Sequence, residues 1–130
     1  MPIEVFWGDP QQTILHAQFG ESWTLEEFGA AVETMYDLIS QTPHTVHIVN
    51  DFSRNRSLPT HLLSVGQHVE NHKAINTGIS IMVGASVFVR SILQVAKRLY
   101  LIDTEIYMAN SVEEAHQIIQ QHTHTVGVPR

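Results

Sequence analysis

The sequence predicts a single α/β domain built on a five-stranded, mostly parallel sheet. Two runs, VHIVNDF and ISIMV, are rich in β-branched and other apolar residues, the composition of strands covered on both faces. Strand-like runs alternate with stretches of helical periodicity in the order ββαβαβαβα. That alternation implies right-handed crossovers, with only the first strand antiparallel to its neighbour. A chain of 130 residues is long enough for one such domain and one core.

The first two strands are IEVFW and TILHAQF, separated by Gly8, Asp9 and Pro10, which punctuate two β-favouring runs into a hairpin. Thr24 and Glu27 have capping-box spacing and open a helix whose apolar face repeats at Leu25, Phe28, Val32, Met35 and Ile39. Pro43 ends that element, and HTVHIVNDF supplies a buried strand. A helix is expected from about Pro59 to His72, with Leu62, Val65 and Val69 on one face. Asn76, Thr77 and Gly78 stop it before GISIMVG, the next buried strand.

ASVFVRSILQVAKRLY follows as a third helix, TEIYMA as the fifth strand, and a last helix starts where Ser111 and Glu114 form a second capping box. Residues 1–121 are therefore expected to form the domain, and the polar HTHTVGVPR, residues 122–130, a short flexible tail. The third helix is unusual, because its apolar residues leave only a narrow strip of Arg90, Gln94, Lys97 and Arg98. So wide an apolar surface implies either an unusually deep core or a partner, and a homodimer through this helix is expected.

Composition narrows the function classes. Thirteen acids against seven bases give a formal charge of -6, which argues against a nucleic-acid partner. With no cysteine, thiolate metal sites, disulfides and a cysteine nucleophile are excluded. No apolar run reaches the roughly 18 residues of a membrane span, and the start MPIEVFWGDP lacks a signal peptide's basic-then-apolar order. The expected location is the cytoplasm. Neither GxxxxGK, GxGxxG nor GxSxG occurs, so nucleotide hydrolysis and a serine-hydrolase elbow are not expected, and no cofactor is implied. The reading is of a protein that is not an enzyme.

The polar stretch VNDFSRNRSLPTHLL, Val49 to Leu63, is where chemistry is most concentrated. In an open α/β sheet the loops leaving the C-terminal ends of parallel strands share one edge, where ligands bind. Three loops should meet there, carrying Ser22 and Trp23, then Asp51, Ser53, Arg54, Asn55 and Arg56, then Gly84 and Ser86. Each feeds a helix N-terminus, which suits an anion or a phosphorylated hydroxyl. The same residues are also ordinary strand-to-helix turn chemistry, in which Asp51 caps the turn and Pro59 begins the helix.

The order of elements and the anchor Asp51-Phe52-Ser53, a strand ending in Asp-apolar-Ser before a polar loop and a leucine-bearing helix, resemble the STAS domains. That group includes the bacterial anti-sigma-factor antagonists and single-domain relatives, and the resemblance covers nearly the whole chain. It implies a regulatory protein-interaction module, a kinase-like partner, and a phosphoacceptor at the start of the second helix. The family pattern there is Asp-Ser-Ser/Thr-Gly, whereas this chain has Arg56-Ser57-Leu58-Pro59-Thr60, so Ser57 and, less well, Thr60 stand at the comparable place. The alternative is a binder of a small anionic or lipid-like ligand, held between the loop edge and the third helix.

His61, His68 and His72 fall within about 40° of one another on a helical wheel, and His68 and His72 have metal-ligand spacing. No HExxH accompanies them, so they are weak candidates and no metal site is expected.

Overall fold

The computed structural model describes residues 2–99 and 105–127. Strands β1 (Ile3–Trp7) and β2 (Ile14–Phe19) form the expected hairpin, and β3 (Val46–Asp51), β4 (Thr77–Val83) and β5 (Ile106–Ala109) complete a sheet in the order β1-β2-β3-β4-β5. β1 runs antiparallel to β2, and every other pairing is parallel. The expected fold class is the observed one.

This strand order dictates where the helices lie. Successive parallel strands step one way across the sheet, so right-handed crossovers put α1 (Leu25–Ser40), α2 (Gly66–His72) and α3 (Val87–Leu99) on the same face. Only α4 (Val112–Gly127), which follows the last strand, returns to cover the other. Two apolar cores result. Leu15, Ala17, Phe19, Val46 and Ile48 pack with Ala31, Met35 and Ile39 of α1, while Val49, Ile79, Ile81 and Val83 pack with Ala115 and Ile119 of α4. β3 supplies both cores, through Val46 and Ile48 on one side and Val49 on the other, which is why its sequence is apolar on both faces, while β4 supplies Ile79, Ile81 and Val83 to the α4 side.

The first helix starts as its sequence indicates: Thr24 Oγ1 accepts from Glu27 N–H, and Glu27 Oε1 accepts from Thr24 N–H. At the second helix the expectation is corrected. Residues 54–61 are extended or turned, a 3-10 turn spans Leu62–Val65, and α2 proper begins only at Gly66. The cause lies in the loop: Arg56 and Ser57 N–H groups both donate to Glu21 O, at 2.9 and 3.1 Å, which holds the chain away from helical geometry. His61 then adopts a left-handed backbone at φ 63.

The C-terminal boundary also shifts. α4 continues to Gly127, past residue 121 where the sequence placed the end of the domain, and no breaker precedes that glycine. His122 secures this extra turn against the sheet through an edge contact with His47, ring centroids 5.9 Å apart. Residues 128–130 lie outside the described residues, as do Tyr100 and Thr104, which the sequence assigned to the third helix and the fifth strand.

Candidate functional site

Of the two expectations for the third helix, the deep core is not met. Only Ala96 of α3 is buried, while Val87, Phe88, Val95 and Leu99 are largely exposed. The inward residues Val89, Ile92, Leu93 and Ala96 instead roof a cavity of about 190 Å³. Its floor is the sheet face formed by Ile48, Asn50, Ser80, Met82 and Ile106. α1 contributes one wall through Phe28, Val32, Met35 and Tyr36, and the 3-10 turn with α2 contributes the other through Leu62, Val65 and Val69.

The chemistry of this space is specific. Its lining is dominated by apolar side chains, and Phe19, Trp23, Phe28 and Phe52 form an aromatic end, with Phe19 stacked on Phe52 at 4.4 Å and Trp23 on Phe28 at 5.5 Å. Trp23 is 5% exposed, and its indole Nε1 is buried with no hydrogen-bond partner among the described residues. Leaving a buried donor unsatisfied costs about 1–3 kcal/mol. An apolar molecule seated in this space takes the lining side chains out of water, which favours its binding. Tyr36, on the wall, has its phenol pushed up to about 12 by burial and then by Glu70, so it remains a neutral donor.

The three loops do meet at the C-terminal edge of β2, β3 and β4, but they bond mainly to one another. Asp51 Oδ1 accepts from Ser53 N–H at 2.9 Å and from Ser53 Oγ at 2.6 Å, so the acid caps its own turn. Asn55 Nδ2 donates to Ser57 O at 3.0 Å and reaches Gly20 O at 3.3 Å, tying the second loop to the first. Arg56 lies 3.7 Å from Glu21 in an exposed pair, which stabilises little. Gly84 has φ 66, and a Cβ there would come within 2.9 Å of Ser53 Oγ, so the third loop is pressed onto the second. Ser86 Oγ caps α3 by accepting from Val89 N–H at 3.2 Å.

Ser22, Ser53, Arg54, Arg56, Ser57, Thr60 and Ser86 are exposed on this edge, whereas Trp23 is turned into the cavity. Ser57 lies in the extended stretch before the 3-10 turn, Thr60 directly precedes that turn's N-cap His61, and α2 proper begins only at Gly66. The sequence signalled Trp23 as a loop residue. Its part in the cavity, like that of Tyr36 and Ala96, depends on how α1 and α3 pack and carries no local motif.

Beneath α4 lies a second polar cluster. His16 Nε2 is 2.9 Å from His116 Nε2, and His47 Nδ1 accepts from Ile79 N–H at 3.0 Å. Burial, reinforced by His116 and by His122 respectively, holds the His16 and His47 pKa values below the ordinary 6.5, although Asp51 and Asp9 pull His16 the other way. For a base held low in the folded state, the unfolded chain takes up protons first on acidification. Stability should therefore be complete above about pH 6.5 and decline as the pH falls from there toward the folded values. Urea midpoints measured from pH 7.5 to 5 check this, and the doubly substituted His16→Gln, His47→Gln protein should show a flatter profile.

The class this architecture defines is a STAS-like α/β domain. No protein-family model matches the chain, and no curated protein matches it in sequence. Among solved structures it is similar to that of the anti-sigma factor antagonist SpoIIAA in its unphosphorylated form, with a TM-score of 0.57 and 13% identity over 91% of this chain and 97% of that one. No helix among the described residues is long and apolar enough to cross a membrane.

Proposed function

We propose that the protein is a non-enzymatic binding module that holds a small apolar molecule between its sheet and α3. The observation that carries this reading is the apolar cavity of about 190 Å³ between the sheet, α1 and α3, with the stacked rings of Phe19, Phe52, Trp23 and Phe28 at one end. The volume exceeds the roughly 150 Å³ of an apolar cavity known to admit benzene, so a short acyl chain or a single ring system is the right size class. Medium-chain fatty acids and their methyl esters are suitable probes. Saturable chemical-shift changes in the Trp23 indole N–H resonance, graded with chain length, are expected, and a resonance that no probe moves would reject the reading.

A second reading is a regulatory protein-interaction module comparable to an anti-sigma-factor antagonist, supported by the fold likeness and by the exposed Ser57 edge. Its finer form has a kinase-like partner and a phosphorylated Ser57 or Thr60. Ser57 is exposed and caps no helix, so Ser57→Ala and Ser57→Glu should each leave stability within about 0.5 kcal/mol of wild type. Under this reading Glu, but not Ala, alters what a pull-down from the native host recovers; identical recoveries would set phosphorylation aside. A homodimer through the exposed Val87, Phe88, Val95 and Leu99 fits either reading. Light scattering of wild type against Phe88→Glu checks it, with a dimer expected for the first and a folded monomer for the second. Cytoplasmic location is part of the same proposal.

A further inference from the structure

We propose that Glu33, His68 and His72 form a binding site for a divalent transition-metal ion, Zn²⁺ above all, that clasps α2 to α1. The three side chains come from two helices, and one ligand atom from each lies within 4.8 Å of the other two. His68 and His72 stand one turn apart on α2, with ring centroids 4.1 Å apart. Glu33, on the exposed side of α1, brings Oε1 to 3.9 Å from His68 Nε2. Tetrahedral zinc bonds of about 2.0–2.2 Å place donor atoms roughly 3.3–3.5 Å apart, so small rotations of exposed side chains complete the site.

The protonation pattern already suits a metal. His72 Nδ1 is 2.8 Å from His68 O, and a carbonyl can only accept, so Nδ1 carries the proton. Nε2 is left with its lone pair. An imidazole oriented by a backbone carbonyl through its other nitrogen is the arrangement metal-ligating histidines use. Two imidazoles and one carboxylate select Zn²⁺, Ni²⁺, Cu²⁺ or Co²⁺ over Mg²⁺ and Ca²⁺, which prefer all-oxygen shells. The fourth position is left to water.

The clasp also has a mechanical consequence. α2 has seven residues and no side-chain N-cap bond, too little to persist as an isolated helix. A metal bridge to the sixteen-residue α1 fixes it, and with it the cavity wall at Val69. His61 takes no part: its left-handed backbone precedes the 3-10 turn, outside the α2 stripe on which the sequence had aligned it. The site does not depend on what fills the cavity.

The test is titration of the metal-free full chain with Zn²⁺ by calorimetry and with Co²⁺ by visible absorption, beside His72→Gln, Glu33→Gln and His61→Gln. Wild type should bind one equivalent of Zn²⁺ saturably. His72→Gln and Glu33→Gln should each weaken binding at least about tenfold, and His61→Gln should leave it unchanged. The Co²⁺ spectrum should lose intensity in the first two variants only. Wild-type affinity in Glu33→Gln would overturn the three-ligand site, as would a loss in His61→Gln equal to that in His72→Gln, or no saturable binding at millimolar metal.

Discussion

Replacing Ala96 by Phe should stabilise the protein and abolish its uptake of apolar ligands together. Ala96 is the buried residue of α3, 8% exposed, and lines the cavity roof. A phenyl ring placed there packs against the apolar lining and is itself buried, so a gain of about 1.5–3 kcal/mol is expected. The same ring denies that space to any guest, and apparent affinity for a medium-chain acyl probe should fall at least about 100-fold, or nearly 3 kcal/mol. Val95→Phe, one residue earlier but half exposed, should change neither quantity. Denaturant midpoints and probe titrations on the three proteins check it. Destabilisation by Ala96→Phe, with binding intact, would mean that the probe binds elsewhere and that the space beneath α3 is not its site.

Gly78→Ala is the other substitution with a large expected effect, in the opposite direction. A Cβ at Gly78 would lie 2.2 Å from His47 Nδ1 and 3.0 Å from Thr45 Cγ2. His47 is buried and its Nδ1 is committed to Ile79 N–H, so the ring cannot yield without surrendering that bond. Overpacking costs about 1–3 kcal/mol, and leaving the Ile79 donor unsatisfied costs a similar amount, so a loss of about 2–6 kcal/mol is expected. His47 contacts His122 of α4 from its other side, so the last turn of α4 should loosen with it. Hydrogen exchange of α4 amides in the variant reads that effect separately from global unfolding, and wild-type stability would refute it.

The contrast between these two positions explains how much was legible in the sequence. Strand and helix identities followed from local signals: the Thr24–Glu27 box, the Gly8-Asp9-Pro10 turn and the two apolar runs that become β3 and β4. Asp51 as a turn cap was equally local, two residues from its Ser53 donor. The late start of α2 was not, because the bonds that hold residues 56 and 57 extended come from Glu21, more than thirty residues away. The cavity was hidden for the same reason. The breadth of the apolar face of α3 is plain in the sequence, but whether Ile92 and Leu93 touch the sheet or stand off from it depends on the bulk of side chains from seven other elements. The metal stripe was half legible: His68 and His72 share one helix, whereas Glu33 joins them only once α1 and α2 are packed together.

The central claim, that the space beneath α3 is a ligand site, is tested most directly by native mass spectrometry of the protein purified from its own host, compared with Ala96→Phe prepared in the same way. Wild type should carry one retained small apolar molecule that extracts into organic solvent, and Ala96→Phe should run at the bare polypeptide mass. Wild type at its bare mass, with no saturable uptake of any acyl or aromatic probe, would contradict the account.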